Sequence, residues 1–367
     1  MNKKKILTGI LAGLMTFGTF GSFNTSEVQA ATRAEIAAVQ VKKSGNFKYW
    51  NKDSETLAAL KDYVKDVTKK GSKNFIPVED RIAVFDMDGT FICETAPYYF
   101  EWMLYLDRTL YDDSFTASPA DIAYAQRIEE GIRVTKKFPK NVDVDEAKSQ
   151  ESVFAGMTPA EYERYVKDFM KKPVEGLSNL KWGEALYLPM VEVIKYLQAN
   201  DFTVYVVSGS DRPTCRIIAC DVLNIKPNNV IGSDPKIISV NQDENDGGQY
   251  VYQKNDYLVR GHLIEKNLKM NKVSNIMQEI GKQPVLGFGN SSGDTSMLNY
   301  TVYGNKYKSA AFFVICDDLD REFGNLKKAE SCRKLANENG WHQISMKDDW
   351  KTIYGEDVKK KTSELIE

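Results

Sequence analysis

Histidine is nearly absent from this chain: 367 residues contain only His262 and His342. The five cysteines (Cys93, Cys215, Cys220, Cys316 and Cys332) are odd in number and widely scattered. There is no CxxC and no Cys/His cluster, so the sequence carries neither a disulfide framework nor the ligand spacing of a zinc site. One disulfide remains compatible with the count, with no pair singled out. Neither sign of charge dominates: 49 Lys and Arg face 51 Asp and Glu, a net charge of −2. That near-balance argues against nucleic acid or an anionic membrane surface as a partner. Internal repeats and low-complexity tracts are also missing. The 42% of hydrophobic and 27% of charged residues place the chain among globular proteins.

Long apolar runs are scarce. Ile6 to Phe20 is short for a membrane span. It follows the basic Lys3-Lys4-Lys5 and precedes Val28-Gln29-Ala30, which resembles a small-residue cleavage site. Residues 1–30 therefore read as a signal peptide, and no cysteine near Ala30 marks a lipoprotein. An uncleaved N-terminal anchor is the other reading. The expectation is a secreted or extracytoplasmic protein starting near Ala31, with no stable membrane association after cleavage. Without Lys3, Lys4, Lys5 and Glu27, 46 basic residues face 50 acidic ones, a net of −4.

The chemistry concentrates first at Asp86-Met87-Asp88-Gly89-Thr90, directly after the apolar run Ile82-Ala83-Val84-Phe85. The pattern predicts a short buried strand ending in two acids, with a glycine for a sharp turn. Acids two residues apart on a strand point the same way. Like charges that close need a cation, or a proton on one of them. Three further segments follow. Val204 to Ser210 is an apolar strand ending Ser208-Gly209-Ser210. Lys272 opens a helical stretch through Val273 and Ile276. Val285 to Asp294 is a strand running into the polar loop Gly289-Asn290-Ser291-Ser292-Gly293-Asp294.

DMDGT and the three segments, in this order, resemble the four motifs of the haloacid dehalogenase (HAD) superfamily, mostly phosphate-ester hydrolases. The resemblance spans residues 82 to 318 and points to the helical-capped branch near phosphoserine phosphatase. It implies an α/β fold: a Rossmann-like three-layer parallel sheet with an inserted helical cap domain. By this resemblance Asp86 is the nucleophile that forms an aspartyl-phosphate. Asp88 is the general acid/base; dehalogenases of the superfamily lack it. Ser208, Gly209 and Lys272 hold the phosphate. Mg²⁺ is the implied cofactor, held by Asp86, Asp88 through its backbone carbonyl, Asn290 and Asp294. Asn290 departs from the pattern, because many relatives carry an aspartate there. One fewer negative charge weakens attraction for a dication.

Apolar spacing organises the rest. Leu57, Leu60, Val64 and Val67 form a helix capped by Ser54, within an N-terminal lead-in over 31–80. Between the first two motifs lie far more residues than a crossover helix needs. Ser118-Pro119 and Thr158-Pro159-Ala160-Glu161 start helices there. The expected division is a core of 81–95 and 185–367 with a helical cap over 96–184. A β-hairpin is expected over 237–262, turning at Asn245-Asp246-Gly247-Gly248.

Substrate choice belongs to the cap and to the segment after DMDGT. Glu94 lies close to where phosphoserine phosphatases place an amine-binding glutamate. Tyr98, Tyr99, Phe100, Trp102 and Tyr105 form an aromatic cluster, either a cage for a quaternary ammonium group or packing between cap and core. Arg212 either reaches a leaving group or decorates a helix start. The resulting expectation is an Mg²⁺-dependent phosphatase for a small phosphomonoester. The alternatives are a non-catalytic secreted binding protein that keeps the fold, and a phosphotransferase.

Overall fold

A computed structural model describes residues 30–361; the segment 1–30 expected to be a signal peptide lies, except for Ala30, outside the described residues. Helices α1 (Arg33–Ala37) and α2 (Glu55–Thr68) lead into strand β1 (Ile82–Phe85). Ser54 caps α2 by accepting from the Leu57 amide at 3.0 Å. Five α-helices then intervene before the next strand, the first four being α3 (Phe100–Leu106), α4 (Pro119–Glu130), α5 (Val142–Phe154) and α6 (Pro159–Phe169). The start signals read from the sequence are realised. Ser118 accepts from Asp121 N at 3.1 Å. Thr158 and Glu161 form a reciprocal capping box.

The chain returns through α7 (Leu188–Ala199) to β2 (Thr203–Asp211), then α8 (Arg212–Leu223), β3 (Val230–Ser239) and β4 (Leu258–Glu265). It continues through α9 (Met270–Ile280), β5 (Leu286–Gly289), α10 (Thr295–Val302), β6 (Ala310–Ile315), α11 (Leu326–Asn339) and β7 (His342–Ser345). The sheet order is β4-β3-β2-β1-β5-β6-β7. All neighbours are parallel except the antiparallel pair β3–β4. β1 is central, and its four residues are buried, as strands covered on both faces must be. Phe85 stacks on Phe288 with ring centroids 4.1 Å apart, and Phe288 on Phe312 at 5.3 Å.

From β1 the chain winds outward through β2, then crosses back to place β5 on β1's other side. In open α/β sheets ligands bind at such a switch point, outside the carboxyl ends of the strands. Asp86 is the first residue beyond β1, and its amide donates to Phe288 O of β5 at 2.9 Å.

Two local expectations are corrected. β3 is one strand over Val230–Ser239, so the first arm of the hairpin begins at Val230, before the expected residue 237. It pairs with β2 in its first half and with β4 in its second. The hairpin is joined by the long connection 240–257 rather than a tight Asn-Asp-Gly-Gly turn, with successive turns that place Asp246 N on Asp243 O (3.1 Å) and Gln249 N on Asp246 O (2.8 Å). The helix that carries Lys272 begins at Met270, with Lys269 as its cap.

α5 and α6 are tied to the sheet by a buried charge cluster. Arg260 of β4 donates to Glu151 of α5 at 2.6 Å and to Asp211 at the end of β2 at 3.0 Å, and lies 3.7 Å over the Tyr162 ring of α6. Residues 176–178 pair with the C-terminal tail, Ser178 N donating to Lys359 O at 2.8 Å and Lys361 N to Gly176 O at 2.9 Å.

Candidate active site

The turn after β1 is set by Gly89. Its φ of +73° is a conformation that L side chains rarely adopt, and a Cβ there would lie 1.9 Å from Asn290 Nδ2 and 2.5 Å from Glu94 Cδ. The backbone folds back so that Gly89 N donates to Ile92 O at 2.8 Å. This leaves Asp86 and Asp88 at the strand end, beside the loops after β2 and β5.

Lys272 closes the group from the first turn of α9. Its Nζ donates to Asp86 Oδ1 at 2.6 Å and to Asp294 Oδ1 at 2.7 Å, with the side chain 1% exposed. Burial opposes the lysine's charge, but Asp294 and Asp86 outweigh it and hold the ammonium above its usual range. Asp294 is oriented by its own loop: Oδ2 accepts from Asn290 N at 3.0 Å and from Ser291 N at 3.1 Å. Burial and the Asp294 charge push Asp86 up to about 7, with Lys272 pulling the other way. Burial and the Asp86 charge push Asp88 up to about 8. Ser210 Oγ donates to Asp88 Oδ2 at 2.7 Å, while Asp88 Oδ1 is shielded from solvent and has no partner among the described residues.

These residues line a cavity of about 380 Å³. Of the residues expected from the sequence, Asp86, Asp88, Gly209, Lys272, Asn290, Asp294, Glu94 and Trp102 are in its wall. Three are not. Ser208 is fully buried, and its Oγ is turned back to accept from Ser210 N at 3.0 Å. Tyr98 packs among Tyr99, Trp102 and Phe138, so for this ring the packing alternative holds. Arg212 is engaged away from the cavity by Asp234 and Glu279, at 2.7 and 2.8 Å. Glu94 is not a free carboxylate, because Lys328 of α11 donates to it at 2.9 Å. Cys93 is buried and its thiol is pushed up by burial, then by Glu322. All five cysteines are free.

The wall also holds Tyr99 of the aromatic cluster, together with Glu101, Asp143, Ser210, Lys266, Lys269 and Lys328, none of which sequence reasoning placed in the site. Ser210 was within reach: it sits two residues beyond Ser208 on the same strand. Lys328 has no local signal, since only the tertiary fold brings α11 to Glu94.

Among the described residues no cluster of three His, Cys, Asp or Glu side chains is arranged to hold a metal. The donor set is nevertheless all hard oxygen, the kind Mg²⁺ takes. Besides Lys272, Asp86 has only a long contact from Thr90, at 3.3 Å to Oδ2. Among the described residues no hydrogen bond engages the Asn290 side chain. Two oxygens with spare acceptor capacity, beside Asp294, fit a hard cation better than a sealed ion pair would.

The pattern of the haloacid dehalogenase-like hydrolases matches residues 83–299, more than half of the chain. Similar solved structures include a protein of unknown function from Bordetella pertussis Tohama I. It is 16% identical, with 72% of this chain and 97% of that one covered and a TM-score of 0.45. Cytosolic 5′-nucleotidase IIIB bound to cytidine is 14% identical, with coverage of 79% and 86% and a TM-score of 0.44. A phosphoserine phosphohydrolase-like protein from Francisella tularensis subsp. tularensis SCHU S4 is 15% identical, with coverage of 64% and 87% and a TM-score of 0.35. No curated protein matches. With its motifs gathered at the carboxyl ends of β1, β2 and β5, the chain belongs to the haloacid dehalogenase-like hydrolase family.

Proposed function

We propose that the protein is an exported, Mg²⁺-dependent phosphatase that hydrolyses a small phosphomonoester through an aspartyl-phosphate on Asp86. The observation that carries this reading is the Asp86–Lys272–Asp294 bridge beside Asp88 in one cavity. Asp86 attacks phosphorus and the ester P–O bond breaks. Asp88 gives its proton to the departing alkoxide, then takes one from the water that attacks the phosphoryl group and frees Asp86. Carriage of that proton near neutral pH agrees with an Asp88 carboxyl raised to about 8. Lys272 offsets the charge of nucleophile and phosphoryl group in a buried setting, where such groups act most strongly.

Asp86, the Asp88 carbonyl, Asn290 and Asp294 would hold Mg²⁺. When bound, the ion neutralises charge on the transferring phosphoryl oxygens. Residues 96–184 act as the cap over a core of 81–95 and 185–367, preceded by the 31–80 lead-in. Glu94, Trp102 and their cavity neighbours meet the leaving group. Nucleic acid is not a partner. Among the described residues no helix is long and apolar enough to cross a membrane.

A phosphate-release screen of phosphomonoesters with mature protein and Mg²⁺ tests the reading. Turnover should vanish with chelator and fall by several orders of magnitude in Asp86→Asn. Undiminished turnover in that variant overturns the mechanism. Mass spectrometry of protein recovered outside the cytoplasm should find an N-terminus near Ala31; an intact Met1 on a membrane-bound product refutes export by cleavage.

A further inference from the structure

The hydroxyl beside the proposed general acid is engaged by that acid. Ser210 Oγ donates to Asp88 Oδ2 at 2.7 Å, its one hydrogen bond among the described residues, and Glu101 of α3 lines the same cavity. Lys266 Nζ, from the segment after β4, donates to Glu101 at 3.4 Å. Ser210 and Glu101 are buried, and all four residues line the cavity.

A carboxyl oxygen accepts a hydrogen bond both when the group is ionised and when the proton sits on the other oxygen. Ser210 can therefore donate to Oδ2 in both states of Asp88, and Oδ1, without a partner among the described residues, is left to carry the transferable proton.

Resting on the phosphatase reading, we propose that Ser210 is a positioning residue for Asp88, holding Oδ2 so that Oδ1 meets the leaving oxygen and then the water. The serine keeps the Asp88 carboxyl aimed while it first loses a proton to the leaving oxygen and then regains one from water. No proton is gained or lost by Ser210 over the cycle. This places Ser210, at the end of β2, in the proton chemistry rather than in phosphate binding.

The test is the dependence on leaving group. An alkoxide must be protonated as it departs, whereas p-nitrophenolate leaves without help. Turnover of p-nitrophenyl phosphate is compared with that of the best alkyl phosphate from the screen, in the parent, Ser210→Ala, Ser210→Thr, Asp88→Asn and the double variant Asp88→Asn/Ser210→Ala. General acid–base catalysis contributes roughly 10²–10⁴-fold. Loss of its aim should cost Ser210→Ala about 10–100-fold in kcat/KM on the alkyl ester but less than about threefold on the aryl ester, because kcat/KM reports only the steps up to departure of the leaving group, before the water step that both esters share. Ser210→Thr, which keeps the hydroxyl, should recover most of the rate. The double variant should be no slower than Asp88→Asn, because coupled residues are not additive. If Ser210→Ala does not fold, Ser210→Cys, similar in size with a weaker donor, carries the same comparison.

Equal losses on both esters, additive losses in the double variant, or no loss at all overturn the proposal. A parent that hydrolyses aryl but no alkyl phosphate overturns it while leaving the phosphatase reading standing. A parent that releases phosphate from neither overturns both.

Discussion

Lys272→Met removes the ammonium that bonds Asp86 at 2.6 Å and Asp294 at 2.7 Å while keeping an unbranched side chain of similar length. The two carboxylates are left buried without their cation. Removing one partner of a buried ion pair costs about 3–5 kcal/mol. For a chain of this size that corresponds to a fall of very roughly 6–10 °C in Tm, at the low end of the shift per kcal/mol. The cost depends on pH with a definite sign. Asp86 is held at about 7 even with Lys272 present, and without the lysine it rises further. A carboxyl raised above its unfolded value keeps its proton in the folded chain after the unfolded chain has lost it. The folded variant therefore binds more protons than the unfolded one, and its stability falls as pH rises from about 4 through the folded value. In chelator, melts of parent and variant should differ little near pH 5 and increasingly as pH rises past 7. Phosphate release should fall by about 10²–10³-fold, as when one preorganised electrostatic group is lost. A deficit in Tm that is absent, or equal at pH 5 and pH 8, refutes the reasoning that Lys272 serves as the counter-ion of this pair.

Three other outcomes follow from the geometry. Asn290→Asp restores a carboxylate to the loop after β5 and should lower the Mg²⁺ concentration for half-maximal activity by about tenfold, or roughly 1.4 kcal/mol; an unchanged metal titration refutes the assignment of Asn290. Gly89→Ala forces a Cβ into a φ of +73° and within 1.9 Å of Asn290 Nδ2, so denaturant unfolding should show a loss of at least ~1 kcal/mol, and activity comparable to the parent would show that the turn relaxes freely. Arg260→Met strands Glu151 and Asp211 and should cost about 3–5 kcal/mol, recovered largely in the triple variant with Glu151→Gln and Asp211→Asn; no recovery means that the arginine acts by packing on Tyr162 instead.

Much of the core was legible because its signals are local. A buried strand announces itself by a continuous apolar run, as Ile82 to Phe85 does, and its bounds in the fold are the same. A cap announces itself by a hydroxyl three residues before its partner amide, as at Ser54, Ser118 and Thr158. Asp86, Asp88, Lys272 and Asp294 could be named because they match the four motifs of the family resemblance, and the sequence marks the strands and helix that carry those motifs. A hairpin turn was harder to place: Asn-Asp-Gly-Gly favours reversal wherever it occurs, but the register of β3 on β4 decides where pairing stops, and that is a pairing between separate segments.

What the sequence by itself determined is therefore the set of elements, the order of the motifs and the identity of the acids and the lysine that carry charge. Only the tertiary structure decided which groups face one another. Ser208 and Ser210 have the same local pattern, yet one hydroxyl is folded back on its own chain and the other is set against Asp88. Arg212 could be weighed as a ligand until Asp234 and Glu279 were seen to occupy it. Glu94 met Lys328, and Glu101 met Lys266, across long stretches of chain. Hydrogen bonds and ion pairs act over a few ångströms of space whatever their separation in sequence. Periodicity reads a segment's own conformation, while the partner of a side chain is fixed by the packing of the whole fold.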